Sequence, residues 1–338
     1  MLDIKRNVKL ASYTTLHIGA AAEFFAVIKS REDLDEAILW AKDNNQEIFV
    51  LGGGSNLLIT SKIKGLVIKN EIAGTQITAE TKDTVWLTGN SGEVWSKFVH
   101  QAVSHNLYGL ENLYLIYGTV GAAPVQNIGA YGVELCDVFD SLLAIDLKTG
   151  KEKIFKLADC KFGYRDSVFK NKLKGKYFIY QVTVKLLKKS NFKIDYADIK
   201  TELQNKKIKK PNLTQVIAAI FKVRNSKLPN PSKLANAGSF FKNPELSVSQ
   251  FKKLEKKYPD IKSFACGKKV KIPAAWLIEQ AGFKGKKFGP VSMYERQALI
   301  LVNHGGATST QVLRQVDRVQ SAVLKQFSIK LEPEVNII

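Results

Sequence analysis

The sequence predicts an α+β fold with two to three domains, and three observations support this prediction. The chain has 338 residues, and an average domain uses about 150. Its composition, 45% hydrophobic and 24% charged with 9 Pro, excludes a disordered or collagen-like chain. Stretches with the apolar spacing of a helix also interleave with short strand-like runs along the chain.

The first third of the chain predicts helices that alternate with short strands. Residues 33–44 carry apolar side chains at the spacing of one buried helix face, namely Leu34, Ala37, Ile38 and Ala41. A second stripe predicts a helix over residues 93–105. Short apolar runs predict strands at 48–51, 66–68 and 85–88.

From residue 138 onward the pattern becomes that of β-structure. Residues 142–147 and 153–157 flank a Lys-Thr-Gly turn and predict a hairpin, and residues 177–187 predict another strand. The polar, basic segment 205–211 ends in proline, so we expect a domain boundary near residue 208. Beyond it the sequence predicts helices at 214–224, 273–280 and 309–327 and a strand at 299–302.

The net charge of +20 indicates an anionic partner. Residues 148–233 hold 23 basic and six acidic side chains and so carry most of the excess. Nucleic acid, a membrane surface and phosphorylated small molecules all fit such a charge, and a lysine-rich solvated surface is an equal alternative.

Several classes of protein are excluded or disfavoured. No apolar run reaches the about 18 residues of a membrane span, and we see no signal peptide. Cys136, Cys160 and Cys266 are odd in number and far apart, which favours a reducing cytosol. The four histidines lack paired spacing, so we expect no metal site.

Two glycine-rich segments indicate a bound dinucleotide. Gly52, Gly53 and Gly54 follow a predicted strand, where glycine lets backbone N–H groups approach a diphosphate. The loop is not a Rossmann fingerprint, since Leu57 stands at the third glycine position, and a plain turn is an alternative. The second segment, residues 118–132, is also rich in small residues, and the pair together favours a non-Rossmann dinucleotide site.

Three further motifs suggest chemistry less strongly. Residues 163–167 (Gly-Tyr-Arg-Asp-Ser) hold an arginine that, taken alone, is more often a surface ion pair. Residues 236–244 put a serine and an asparagine in a turn anchored by aromatic residues. Residues 331–335 open a final strand with a carboxylate.

Taken together, these motifs resemble one family. LGGGSN at 51–56, GAAPVQNIGAYGVEL at 121–135, FGYRDSVFK at 162–170, NAGSFFKNP at 236–244 and LEPEV at 331–335 occur in the order typical of the UDP-N-acetylenolpyruvoylglucosamine reductases of peptidoglycan synthesis. The resemblance runs from Thr15 to Val335, and five motifs in order are far more specific than any one of them.

The resemblance implies an FAD-binding fold of the vanillyl-alcohol-oxidase type plus an α+β substrate-binding domain. The implied domains are residues 1–72 and 73–207, two FAD-binding subdomains, and 208–338, the substrate-binding domain. The implied catalytic residues are Ser239 as general acid, with Arg165 and Glu334 acting on the enolpyruvyl carboxylate. The implied FAD-binding residues are Gly52, Gly53, Gly54, Ser55, Asn56, Gly118, Val120, Gly121, Ala122, Gln126, Asn127, Gly129 and Ala130.

The resemblance also implies a set of substrate-binding residues: Tyr131, Tyr196, Arg224, Lys227, Asn243 and Gln297. Residues 195–198 look like the subtype in which a tyrosine, here Tyr196, closes over the substrate diphosphate. Two positions depart from the family pattern. Tyr117 replaces a usual proline before the second glycine segment, and Tyr294 replaces a frequent histidine.

The expected activity is NADPH-dependent, FAD-mediated reduction of UDP-N-acetylglucosamine enolpyruvate to UDP-N-acetylmuramate. We expect a cytoplasmic monomer that binds neither nucleic acid nor membrane. One alternative is another flavin oxidoreductase of the same fold that acts on a sugar or alcohol. A basic RNA-binding protein is a second alternative, from which the yellow colour of a flavoprotein distinguishes the enzyme.

Overall fold

The structure is a computed structural model that describes residues 2–338. Its strands and α-helices are, in chain order, β1 (Lys5–Lys9), β2 (Ala21–Ile28), α1 (Arg31–Asp43), β3 (Ile48–Leu51), β4 (Leu57–Leu58), β5 (Ile63–Asn70), β6 (Thr75–Glu80), β7 (Thr84–Asn90), α2 (Trp95–Ser104), β8 (Gly129–Ala130), β9 (Val133–Glu134), β10 (Phe139–Asp146), β11 (Glu152–Lys156), α3 (Leu157–Cys160), β12 (Tyr177–Leu187), α4 (Ala197–Asn205), α5 (Leu213–Lys227), β13 (Ala235–Ser239), β14 (Glu245–Ser247), α6 (Val248–Lys257), β15 (Phe264–Cys266), β16 (Lys269–Lys271), α7 (Ala274–Gln280), β17 (Lys287–Phe288), β18 (Val291–Met293), β19 (Ile300–Asn303), α8 (Ser309–Phe327) and β20 (Asn336–Ile337).

The chain divides into two compact units, each built from separate stretches of sequence. Unit 1 comprises the chain up to Lys9, Ala21–Gly54 and Lys62–Asn225. Unit 2 comprises Leu10–Ala20, Ser55–Ser61 and Ser226–Ile338.

The first layer of unit 1 is a four-stranded sheet in the order β1-β2-β5-β3. Strands β2, β5 and β3 are parallel, and β1 pairs antiparallel at the edge. The side chain of Ser30 caps α1, which buries the predicted face of Leu34, Ala37, Ile38 and Ala41. These side chains pack with residues of β2 and β5, among them Ala26, Leu66 and Ile68, in one apolar core.

The second sheet of unit 1 is antiparallel and runs in the order β11-β10-β12-β7-β6. Its core includes the fully buried Phe98 of α2 and the nearly fully buried Trp95, whose indole N–H donates to the carbonyl of Leu113 at 2.9 Å. The predicted hairpin is confirmed as β10 and β11, and the predicted strand at 177–187 is confirmed as β12.

Helices α4 and α5 form a small separate core within unit 1. Ile199 and Leu203 of α4 pack with Val216, Ala219 and Ile220 of α5. Because of this packing, the division between the units follows Asn225, whereas the sequence predicted a boundary near residue 208. The polar segment that suggested the earlier boundary is the connection between these two helices.

Unit 2 is built on the sheet β13-β19-β18-β17, with a smaller sheet β14-β16-β15 and the parallel pair β20-β4. Helix α8 buries Val312, Val316, Val319 and Val323 in a core that also contains residues of α7. The sequence prediction of α8 is confirmed at both ends, and α7 begins at Ala274, one residue after the predicted start. Within residues 2–338, none of the helices combines the length and apolar composition that a membrane crossing requires.

Candidate active site

The two glycine-rich segments of unit 1 lie against each other. The first follows β3, and Gly54 takes a left-handed backbone with φ of 62°. A Cβ added to Gly53 would lie 2.9 Å from the Cα of Gly118, and one added to Gly52 would lie 2.9 Å from the Thr119 hydroxyl. Only glycine permits this approach, so the two segments that the sequence singled out pack backbone to backbone.

The second segment continues as a 3-10 helix, Val120–Gln126, that contains the predicted Val120, Gly121 and Ala122. The N–H of Gly121 donates to the carbonyl of Ser91 at 2.9 Å, and a Cβ on Gly121 would lie 2.5 Å from the Cβ of Ser91. The helix ends at Asn127, which has a left-handed φ of 45°. The start of this segment is therefore fixed by backbone contacts that exclude larger side chains.

The side chain of Asn127, a predicted FAD-binding residue, is already hydrogen-bonded to other residues of the protein. Its Nδ2 donates to Glu134 Oε2 at 2.8 Å and to the carbonyl of Gly163 at 3.1 Å, and its Oδ1 accepts from the N–H of Cys136 at 3.0 Å. The side chain is fully buried. We therefore assign it a role in holding the loop, with Gly129 and Ala130 following in the short strand β8.

Ser55 and Asn56 belong to unit 2, although the sequence groups them with the glycine loop. Asn56 Nδ2 donates to the carbonyl of Glu334 at 3.3 Å, and the carbonyl of Asn56 accepts from the N–H of Asn336 at 3.1 Å. The Asn56 side chain thus supports the main chain at the predicted catalytic residue Glu334.

The guanidinium of Arg165 is held in a fixed position within unit 1. Its Nη2 donates to the carbonyl of Gly129 at 2.7 Å, and Nη1 lies 3.8 Å from Glu134 Oε1. The cation also lies 5.3 Å from the ring centre of Tyr164. Arg165 has a left-handed φ of 53°, which is uncommon for arginine and is stabilised here by the short Gly163–Asp166 bridge. The Arg165 side chain is only 17% exposed, so its ion pair with Glu134 is partly buried and does not lie at the open surface.

The structure brings together three predicted substrate-binding residues, Tyr131, Tyr196 and Arg224. The rings of Tyr131 and Tyr196 meet edge to face with centres 5.2 Å apart. The Arg224 guanidinium lies 5.9 Å from the Tyr131 ring centre and donates through Nη2 to the carbonyl of Leu115 at 3.1 Å. Burial lowers the pKa of Arg224 and raises those of both tyrosines. The result is a cation beside two neutral phenols.

The backbone of Phe240 links the predicted catalytic residues Ser239 and Glu334. Phe240 follows Ser239 in the chain and is hydrogen-bonded to the backbone of Glu334. Ser239 ends β13 after Gly238, which has a left-handed φ of 71°. The N–H of Glu334 donates to the carbonyl of Phe240 at 2.8 Å. Phe240 and Phe241 are fully buried, so they anchor the backbone beneath both predicted catalytic residues.

The other three predicted substrate-binding residues also lie in unit 2. Asn243 Oδ1 accepts from the N–H of Ala274 at 2.9 Å and so supports the start of α7. Gln297 makes a turn in which its carbonyl accepts from the N–H of Ile300 at 3.0 Å. Lys227 is the last residue of α5.

Two residues near the glycine segments were not identified from the sequence, Thr119 and Ser91. The Thr119 hydroxyl is buried and has no hydrogen-bond partner in the part of the chain that the structure describes. The sequence shows Thr119 only as one hydroxyl residue inside a run of small apolar residues. From sequence alone such a run cannot be distinguished from an ordinary turn. Among residues 2–338, no group of three or more His, Cys, Asp or Glu side chains could hold a metal ion.

Comparisons with known proteins agree with this arrangement. Residues 22–158 match the model of an FAD binding domain, and residues 230–338 match that of the UDP-N-acetylenolpyruvoylglucosamine reductase C-terminal domain. The crystal structure of the reductase from Thermus caldophilus superposes with a TM-score of 0.68 at 24% identity, covering 100% of this chain and 99% of the other. The predicted α+β fold with an FAD-binding part is thereby confirmed.

Two curated relatives extend over the same length. The UDP-N-acetylenolpyruvoylglucosamine reductase of Flavobacterium johnsoniae is 45% identical, with 100% of both chains covered. That of Pseudomonas aeruginosa is 41% identical, with 99% of both chains covered. Since identity at this level extends from end to end and both parts match their own models, the chain belongs to the UDP-N-acetylenolpyruvoylglucosamine reductase family.

Proposed function

We propose that this protein reduces UDP-N-acetylglucosamine enolpyruvate to UDP-N-acetylmuramate in peptidoglycan synthesis, with NADPH as the electron donor. The observation that carries the proposal is the end-to-end identity of 45% with the Flavobacterium johnsoniae reductase. The geometry within each unit supports it, because the Arg165 guanidinium is hydrogen-bonded in place and the backbone at Ser239 and Glu334 is anchored by Phe240.

The residues of unit 1 fit FAD. The approach of Gly53 to Gly118 leaves no room for a Cβ, so the glycine backbones of the two segments lie side by side, and we assign their N–H groups to the FAD diphosphate. The buried Thr119 hydroxyl lacks a partner among residues 2–338 and could donate to a phosphate oxygen. In this proposal Gly52, Gly53, Gly54, Gly118 and Thr119 hold the diphosphate.

When bound, FAD supplies hydride transfer from NADPH to C3 of the enolpyruvyl group. Negative charge then develops at C2 and on the adjoining carboxylate, and we assign its stabilisation to Arg165. The bond from Arg165 to Gly129 and the contact with Tyr164 fix the guanidinium before the reaction. A cation that is already oriented stabilises developing charge without reorganisation, which is the largest effect available here.

We assign delivery of the proton at C2 to the hydroxyl of Ser239. The left-handed Gly238 on one side and the buried Phe240 on the other restrict the backbone of Ser239. Glu334, whose N–H donates to the Phe240 carbonyl, is also assigned to the carboxylate end of the substrate. A proton donor held in this way typically accelerates a step by about 10²–10⁴-fold.

We assign binding of the UDP moiety to Tyr131, Tyr196, Arg224, Lys227, Asn243 and Gln297. Tyr196 immediately precedes α4, and its ring packs edge to face against Tyr131, which supports the subtype with a tyrosine over the substrate diphosphate. Arg224 provides a cation in the same cluster. Asn243 contributes indirectly, because its carbonyl oxygen already supports α7.

We further propose that residues 1–72 and 73–207 bind FAD, that residues 208–338 bind the substrate, and that Tyr131, Arg165 and Tyr196 of the FAD-binding part also contact the substrate. The protein works in the cytoplasm as a monomer without nucleic acid. Cys136, Cys160 and Cys266 are all free thiols, which supports a reducing compartment.

An absorbance spectrum followed by an NADPH oxidation assay tests the proposed function. We expect a yellow protein that oxidises NADPH rapidly only when the enolpyruvyl UDP-sugar is added. A colourless protein, or NADPH oxidation at the same rate without the sugar, would contradict the proposal.

A further inference from the structure

A half-buried lysine lies directly beneath the first glycine loop and is not used in the proposed function. Lys69 interrupts the apolar run of β5, and its Nζ donates to the carbonyl of Gly52 at 2.9 Å. Burial lowers the pKa of Lys69, and the nearby Glu71 opposes this shift. Burying an ammonium group is costly unless its donors are satisfied, so this position requires an explanation.

The hydrogen bond from Lys69 fixes the orientation of one peptide group. In a planar trans peptide the C=O of Gly52 and the N–H of Gly53 point in opposite directions. With the carbonyl directed towards Lys69, the N–H of Gly53 is directed away from it. Glycine alone cannot hold this orientation, since it lacks the side chain that would restrict its backbone.

The next residue of the strand supports the second glycine segment in a similar way. Asn70 is buried, and its Nδ2 donates to Ser91 Oγ at 2.8 Å. The carbonyl of Ser91 in turn accepts from the N–H of Gly121 at 2.9 Å. Since neighbouring side chains of a strand point to opposite faces, Lys69 and Asn70 reach the two segments from the two sides of β5.

We propose that Lys69 is a positioning residue for FAD, which holds the Gly52–Gly53 peptide so that its N–H faces the cofactor diphosphate. This inference rests on the proposed function, because it requires that FAD occupies the glycine segments.

The test is FAD affinity of the apoprotein, measured by quenching of flavin fluorescence in the variants Lys69→Met, Lys69→Arg and Lys64→Met. Lys69→Met removes the donor and keeps the apolar stem, and we expect FAD binding about tenfold weaker or more. Lys69→Arg restores a donor and should bind FAD close to wild type. Lys64 lies exposed on the same strand and serves as the matched control, with unchanged affinity expected.

The outcomes separate this inference from the proposed function. If the wild-type apoprotein does not bind FAD, both are overturned. If the wild type binds FAD and Lys69→Met binds it equally well, only the role of Lys69 is overturned. If Lys69→Met does not fold by circular dichroism, Lys69→Leu, which also lacks a donor, replaces it, with weaker FAD binding in a folded protein expected and unchanged binding again contradicting the role.

Discussion

Arg165 donates through Nη2 to the carbonyl of Gly129 at 2.7 Å, and a Cβ at Gly129 would lie only 2.9 Å from its Nη1. The proposed catalytic cation is thus tied to a glycine in the segment that borders the proposed flavin site. Any change at either residue should therefore alter the position of the charge as well as its presence.

The first prediction concerns Arg165→Lys. Lysine keeps the charge but cannot reproduce the planar group that spans Gly129 and Glu134. We expect flavin reoxidation by the enolpyruvyl sugar to slow by about 10²-fold, with flavin reduction by NADPH almost unchanged. Rapid-mixing absorbance measurements of both half-reactions provide the check, and equal slowing of the two would contradict the assignment.

The second prediction concerns Ser239→Ala. Loss of the positioned acid should slow reoxidation by the sugar by about 10²–10⁴-fold and leave reduction by NADPH nearly normal. Ser249→Ala, at an exposed position of α6, is the control and should leave both half-reactions unchanged. A normal reoxidation rate in Ser239→Ala would mean that this hydroxyl only shapes the turn after Gly238.

The third prediction concerns Tyr196→Phe. Phenylalanine keeps the edge-to-face contact with Tyr131, so only the hydroxyl is lost. We expect the KM of the UDP-sugar to rise about tenfold while flavin reduction stays unchanged. Tyr108→Phe, where the ring packs on Phe192, is the matched control for loss of a phenol from the same unit. Steady-state kinetics with varied sugar concentration decide the matter, and an unchanged KM in Tyr196→Phe would exclude the capping role.

The fourth prediction concerns Gly53→Ala. The new Cβ would lie 2.9 Å from the Cα of Gly118, so the backbone must move and the two glycine segments must separate. We expect loss of bound FAD, measured as the ratio of flavin to protein absorbance after purification. Gly150→Asn in the β10–β11 turn is the control, because asparagine tolerates its left-handed φ of 71°. Full FAD occupancy in Gly53→Ala would show that the cofactor does not depend on this contact.

The fifth prediction compares two glutamines of α8. Gln315 is fully buried, and neither its Oε1 nor its Nε2 has a hydrogen-bond partner within residues 2–338, whereas Gln320 donates to the carbonyl of Leu331 at 2.8 Å. Gln315→Met should raise the free energy of unfolding by about 1–3 kcal/mol, and Gln320→Met should lower it by about 1 kcal/mol. Urea denaturation measures both, and destabilisation of Gln315→Met would reveal a partner for that amide.

Five helices, α1, α2, α5, α7 and α8, were predicted because their signals are local, whereas α3, α4 and α6 were not predicted. In α8 the capping pair Thr308 and Gln311 and the repeated apolar positions agree, so its predicted bounds are confirmed. Strand β1 was not predicted, since it is a short edge strand with mostly exposed polar residues. Its pairing with β2 depends on a partner that the sequence does not indicate.

The sequence predicts which residues form the site, but it does not predict which contacts those residues make. The motifs identify Arg165, Ser239 and Glu334 by resemblance, whereas the Phe240 carbonyl that ties Ser239 to Glu334 joins segments about 95 residues apart. The motif of Asn243 predicts a substrate-binding residue. In the structure its side chain also accepts a hydrogen bond from the first residue of α7, which the motif did not indicate. Long-range hydrogen bonds of this kind have no local signature.

Unit 2 takes its first two segments from residues 10–20 and 55–61 and the rest from residue 226 onward. Its core includes Leu16, Ile18 and Leu58, and β4 pairs with β20 at the other end of the chain. During synthesis on the ribosome, the apolar side chains of residues 10–20 and 55–61 have no core to pack into until the residues after 226 have been made. A fragment that begins at residue 226 would lack part of this core, so we expect unit 2 to fold only when its early segments are present.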